Sequence, residues 1–129
     1  MTPTLNVATV QEALDALITA DEPAATNRFT DDVALTGAGG CLAGCSIGLP
    51  AVLARFARLS HLTAGTFGTE VEAVYAGITS QFVVITRHWA SIDGKAVHGT
   101  QALLVATRLD RISSITALSK VGGGSGIWD

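Results

Sequence analysis

Two side chains set in runs of apolar β-formers are the first candidates for chemistry. His88 lies in Gln81–Ser91, QFVVITRHWAS, and Gln101 in the run that follows, Val97–Leu109. An imidazole can take or give a proton near neutral pH, and an amide can orient a carbonyl or hydroxyl. Strand alternation puts His88 on one face with Phe82, Val84, Thr86 and Ala90. Gln101 shares its parity with Leu103, Val105 and Thr107. The competing reading of His88 is a histidine that only hydrogen-bonds inside the fold, or one that faces solvent through a one-residue slip in register.

The other chemistry-bearing residues read as structural. Asp31 and Asp32 look like a carboxylate pair, but they fall where a helix ends, and turn formation is the favoured reading. Glu70 and Glu72 alternate with Val71 and Ala73 and should face solvent. His61 and His98 are peripheral, and the facing of Tyr75 is open. Cys41 and Cys45 flank Leu42-Ala43-Gly44 with no cation nearby to activate a thiol, so both read as unreactive thiols. Two cysteines are too few for a disulfide scaffold or a structural zinc site. No metal and no cofactor are expected.

Stretches that could position His88 and Gln101 follow in order. Thr9 can cap a helix from Val10, with Glu12 at its third position and Val10, Leu14, Leu17 and Ile18 on one side. Asp21 caps a short helix to about Phe29, with Pro23 in its first turn. Val33–Thr36 reads as a strand. Gly37–Gly48 has five glycines in twelve residues and reads as a loop or irregular hairpin. Pro50 opens a third helix to about Leu59, facing Leu49, Val52, Leu53, Phe56 and Leu59 inward. Thr66–Ala76 reads as a strand. Then come the His88 strand, an Asp93-Gly94 type I′ turn, the Gln101 strand, a reversal at Asp110-Arg111 and a last strand, Ile112–Leu118. A glycine-rich tail over about 122–129 is expected to be mobile. Helices and strands are segregated, which gives one α+β domain over 1–129, a twisted sheet with helices on one face and the shape of a half-open cone.

Composition narrows the function class. With 129 residues, 48% hydrophobic and only 15% charged, the chain is apolar for a small domain. A lined cavity, a buried subunit interface or both are expected. A net charge of −3 and the lack of any Lys/Arg cluster exclude a phosphate-tracking surface, so no nucleic acid is expected. No apolar run approaches the roughly 18–20 residues needed to span a bilayer, so no membrane partner is expected. The N-terminus lacks the basic and apolar regions of a signal peptide, and a cytoplasmic location follows as the default.

The order and spacing of three segments resemble the SnoaL-like branch of the nuclear transport factor 2-like (cystatin-like, ketosteroid isomerase-like) superfamily. They are RFTDDVAL at Arg28–Leu35; Leu42-Ala43-Gly44 and Gly48 followed by LPAVLARFARLSHLTAGTF; and the meander with its IDGK and DRI turns. The resemblance implies a conical half-barrel of strongly curved mixed or antiparallel sheet, with the N-terminal helices on its concave face. It implies a pocket for a small hydrophobic, polyketide- or steroid-like ligand, lined by Phe82, Val84, Thr86, His88, Gln101, Leu103, Val105, Leu14 and Phe56. It also implies a homodimer through the outer sheet face, where Val83, Ile85 and Trp89 would lie. Relatives include cyclases, isomerases and dehydratases, all free of cofactors, and proteins with no known reaction.

Position by position, the catalytic pattern of the ketosteroid isomerases is missing. Its general base falls at or near Gly37, and its two oxyanion partners fall on Ala13 and Leu103. The acid/base position of the cyclases falls on Lys120, read as a solvated strand-end lysine, with a base whose pKa is lowered by burial as the alternative. His88 is left as the catalytic candidate. A non-catalytic ligand carrier or a dimerisation module are the rival readings.

Overall fold

The computed structural model describes residues 5–37, 45–77 and 80–121, without the side chains of 119–121. The expectations for Cys41, the glycine-rich tail and the Lys120 side chain lie outside the described residues.

Helix α1 spans Val7–Ile18 and starts three residues earlier than the sequence reading. Asn6, not Thr9, is the cap. Its Oδ1 accepts from the Thr9 N–H at 2.9 Å, and Thr9 Oγ1 accepts from the Asn6 N–H at 3.0 Å. Thr9 therefore plays the reciprocal third-position part of a capping box, usually played by Glu or Gln, which is why it looks like a cap in sequence. Helix α2, Glu22–Arg28, is capped by Asp21 as expected. Strand β1, Phe29–Thr36, follows without a turn. Asp31 and Asp32 are thus exposed strand residues and not turn formers, and the register shifts between Phe29 and Ala34. A second strand the sequence reading did not resolve, β2 at Cys45–Ile47, pairs antiparallel with β1. Helix α3, Leu49–Leu62, begins one residue and ends three residues outside the expected range, and Gly65 (φ 75) closes its exit.

Four long strands complete the chain: β3 Gly68–Ala76, β4 Gln81–Ile92, β5 Lys95–Arg108 and β6 Arg111–Val121. The β4–β5 turn is the expected Asp93-Gly94, with φ 52 and 78. The next reversal sits at Leu109-Asp110, φ 51 and 69, one residue before Asp110-Arg111. Sheet order is β2-β1-β6-β5-β4-β3, with β1 and β6 parallel and the other neighbours antiparallel. The two edge strands do not meet, so this mixed sheet is open.

The helices cover one face, α1 against β3 and α3 against β1. Val10, Ala13, Leu14 and Leu17 of α1 and Val52 and Phe56 of α3 join Val71, Val84, Leu103, Val105 and Ile115 in one core. Gln11 fastens α1 to the edge strand. Its Oε1 accepts from the Val71 N–H at 2.7 Å, and its Nε2 donates to Thr69 O at 3.0 Å. These groups flank Glu70, just before the β3–β4 register shift between Val71 and Ala73. No helix among the described residues is long and apolar enough to cross a membrane.

Candidate functional site

The inner face of β4 and β5 carries the polar residues singled out in sequence. Along β4, Phe82, Val84, Thr86, His88 and Ala90 are buried, while Arg87 and Trp89 are exposed between them. The expected parity is therefore the observed one. On β5, Gln101, Leu103 and Val105 are buried on the same face. Thr86 stands directly opposite Gln101, and His88 opposite Gly99. Because Gly99 carries no side chain, it adds nothing to the wall beside the imidazole.

All nine expected pocket residues are buried. Thr86, His88 and Gln101 are 0–1% exposed, and even Phe82 reaches only 7%. Leu14 of α1 and Phe56 of α3 belong to the same buried core as Val84, Leu103 and Val105. Ala13 and Leu103, the positions expected from the resemblance to match the ketosteroid isomerase oxyanion partners, are 1% and 0% exposed. Gly37, at the base position, is buried as well. These three positions offer no side chain able to carry a proton.

The polar groups are held by specific bonds. Thr86 Oγ1 donates to Gln101 O at 3.2 Å. Gln101 Nε2 donates to Leu118 O and, at 3.2 Å, to Ala102 O. An irregularity in β6 accounts for the first of these: Gln101 pairs with Lys120 but Leu103 with Ala117, so β6 carries one extra residue in between. Such a bulge takes a carbonyl out of the ladder, and the Gln101 amide meets that of Leu118. Gln101 Oε1 is buried with no hydrogen-bond partner. Sequence patterning located Gln101 but gave no sign of the bulge that orients it.

The remaining sequence candidates stay outside this wall. Glu70 and Glu72 are exposed, and Glu70 pairs with Arg87 at 3.3 Å. His61 and His98 are exposed. Tyr75, whose facing was open, is 61% exposed and paired with Val83 on the outer face. Cys45 is half-buried in β2. Among the described residues no group of His, Cys, Asp and Glu could hold a metal ion.

Two of the surface clefts lined by described residues contain no expected pocket residue. One, about 630 Å³, is lined by Thr30, Asp31, Asp32, Arg108, Leu109 and Arg111. Arg108 donates to Asp32 Oδ1 at 2.6 Å, which holds that carboxyl below its ordinary range. Two acids face two arginines here, so the cleft has no net charge with which to select an ion. The other, about 480 Å³, is lined by Glu22, Thr26, Asp31, Leu49, Pro50 and Leu53, between α2 and the start of α3. It holds two acids but no imidazole, amide or thiol.

No family model and no curated protein sequence matches the chain. Solved structures do. A protein of unknown function with a cystatin-like fold from Xanthomonas campestris is similar at 14% identity over 95% of each chain, with a TM-score of 0.75. A protein with a ketosteroid isomerase-like fold from Catenulispora acidiphila, in complex with trimethylamine, is similar at 16% identity over 90% of this chain and 88% of that one, TM-score 0.72. TerC, co-crystallised with polyporic acid, is similar at 11% identity over 87% and 88%, TM-score 0.70. At such identities it is the backbone that is shared: the chain has a cystatin-like α+β fold.

Proposed function

We propose that this is a SnoaL-like protein that binds a small, ring-shaped, mostly apolar ligand against the inner face of β4 and β5. One observation carries the reading: Thr86, His88 and Gln101 form a polar group, 0–1% exposed, in a wall otherwise made of Phe82, Val84, Leu103 and Val105. Gln101 Oε1 is buried there without a donor, and a buried polar atom left unpaired costs about 1–3 kcal/mol. A ligand that meets that atom offsets the cost. The apolar remainder of the wall favours rings over charged molecules. TerC, which shares this fold, was co-crystallised with a ring compound, polyporic acid. Because the wall is closed over, the ligand enters by displacing part of the packing above it.

His88 is the residue through which such a site would do chemistry, as a general base on a bound hydroxyl or acidic C–H. With no acid at Ala13, Leu103 or Gly37, it would act without the proton relay of the ketosteroid isomerases. The complete burial of the wall also favours a second reading, a cone filled by its own side chains that serves dimerisation. Amide-resolved NMR with 2-naphthol as probe separates the two. Shifts concentrated at Thr86, His88 and Gln101 support a ligand site. Shifts absent there at millimolar probe would favour the filled cone.

A further inference from the structure

We infer that the ligand is a hydrogen-bond donor where it meets Gln101: a phenol, an enol or another ring hydroxyl, not a ketone. This rests on the binding role proposed above and concerns which polar group the site accepts.

The argument is a count of protons. Gln101 Nε2 has two, and its two bonds go to Leu118 O and Ala102 O. The amide cannot be turned over, because Oε1 would then face two carbonyl oxygens. Oε1 is therefore the atom left over, and it has no donor. The Thr86 hydroxyl stands opposite and has one proton, which goes to Gln101 O. What Thr86 has left is also lone pairs. Two of the three polar side chains on this wall thus offer only acceptors to anything that binds.

A ketone oxygen placed against them would meet lone pairs with lone pairs, and an enolate oxygen would fare worse. A hydroxyl would donate to Oε1. This is the reverse of an oxyanion site, which aims donors at developing negative charge. The fold's most familiar chemistry, stabilising an enolate, is therefore opposed at Gln101 by the direction of its own amide. The β6 bulge fixes that direction by presenting the Leu118 carbonyl.

The test uses three probes of one shape: 2-naphthol, 2-methoxynaphthalene and 2-acetylnaphthalene. Each is titrated by calorimetry into the full chain and into Gln101→Leu. Naphthol should bind about tenfold more tightly than either of the others, the worth of one buried hydrogen bond. That preference should fall below about twofold in Gln101→Leu. If the leucine variant fails to fold, wild-type NMR answers the same question: the Gln101 side-chain amide should shift with naphthol and not with the methyl ether. Equal binding of all three, tighter binding of the ketone, or equal amide shifts would overturn the donor assignment while leaving the binding role intact. Failure of every probe to bind would overturn the binding role and the donor assignment with it.

Discussion

His88 and Asp32 show how differently two titratable residues can be placed in one small chain. His88 is 1% exposed on the inner face of β4, where it would meet the proposed ligand. His88→Ala should weaken probe binding by about 1–3 kcal/mol if a ligand group loses its partner. Calorimetry measures this, and unchanged affinity would exclude the imidazole from the site. Asp32 is on the surface, paired with Arg108. Its pKa is lowered from 3.8, first of all by the Arg108 hydrogen bond. A carboxyl whose folded pKa lies below its unfolded one adds stability above the unfolded value and loses it as pH falls through the folded one. The contribution is therefore complete above about pH 3.8 and is lost as pH falls below it, on the acid limb. Arg108→Met should bring the Asp32 titration back towards 3.8 in a carboxyl-carbon NMR titration. A midpoint that stays put would show that Arg108 is not what holds it. At this scale the sequence was legible where alternation alone decides. Parity placed His88 and Gln101 inside and Glu70 and Glu72 outside. It could not show that Gln101 presents an oxygen, because that follows from a bulge on a different strand.

Elements were legible in proportion to how much local chemistry specifies them. Asp93-Gly94 announces its turn because both residues tolerate positive φ. Leu109-Asp110 adopts the same left-handed geometry without that advertisement, so the reversal was placed one residue late. Leu109 has φ 51 and is 89% exposed, so it bears the steric cost of the left-handed region and returns almost no packing. Leu109→Asn should therefore stabilise the protein by about 0.5–1 kcal/mol, read by urea denaturation. A loss of stability would mean that Leu109 is covered by something in solution. Strand β1 is longer than its local chemistry suggests: two consecutive aspartates are poor β-formers, and they lie in the irregular stretch between the Phe29 and Ala34 pairings with β6. The edge strand β3 depends on α1 for its unpaired groups. Removing the Gln11 amide leaves the Val71 N–H and the Thr69 carbonyl without their partner. Gln11→Ala should cost about 1 kcal/mol for the lost bonds and speed amide exchange at Val71. If exchange at Val71 is unchanged while remote amides speed up, Gln11 acts through helix stability and not through the strand.

At the scale of the whole molecule, the outer sheet face is the half of the structure that the helices leave uncovered. Two rows of cross-strand neighbours run over it, Tyr75-Val83-Leu104-Thr116 and Ala73-Ile85-Ala102. Val83, Ile85 and Leu104 stay partly exposed, Trp89 is 40% exposed and Tyr75 61%. Trp89 lies flat over Gly68, where even a Cβ would come within 2.5 Å of the indole, and Arg87 sits 5.9 Å from its ring. A sheet face with this much apolar surface is more consistent with an interface than with bare solvent contact. The charged Glu70–Arg87 pair borders it, as a polar rim borders a stable interface. We therefore propose the homodimer that the fold resemblance implies, formed by packing this face on its copy. Light scattering should give twice the chain mass at micromolar concentration. Leu104→Arg places a charge at the centre of the longer row, where desolvating it has no compensating partner. That variant should run as a monomer, and its melting temperature should lose the concentration dependence expected of a dimer. A wild-type chain that stays monomeric at high micromolar concentration would leave the outer face without the function assigned to it. A dimer that survives Leu104→Arg would place the interface on another surface.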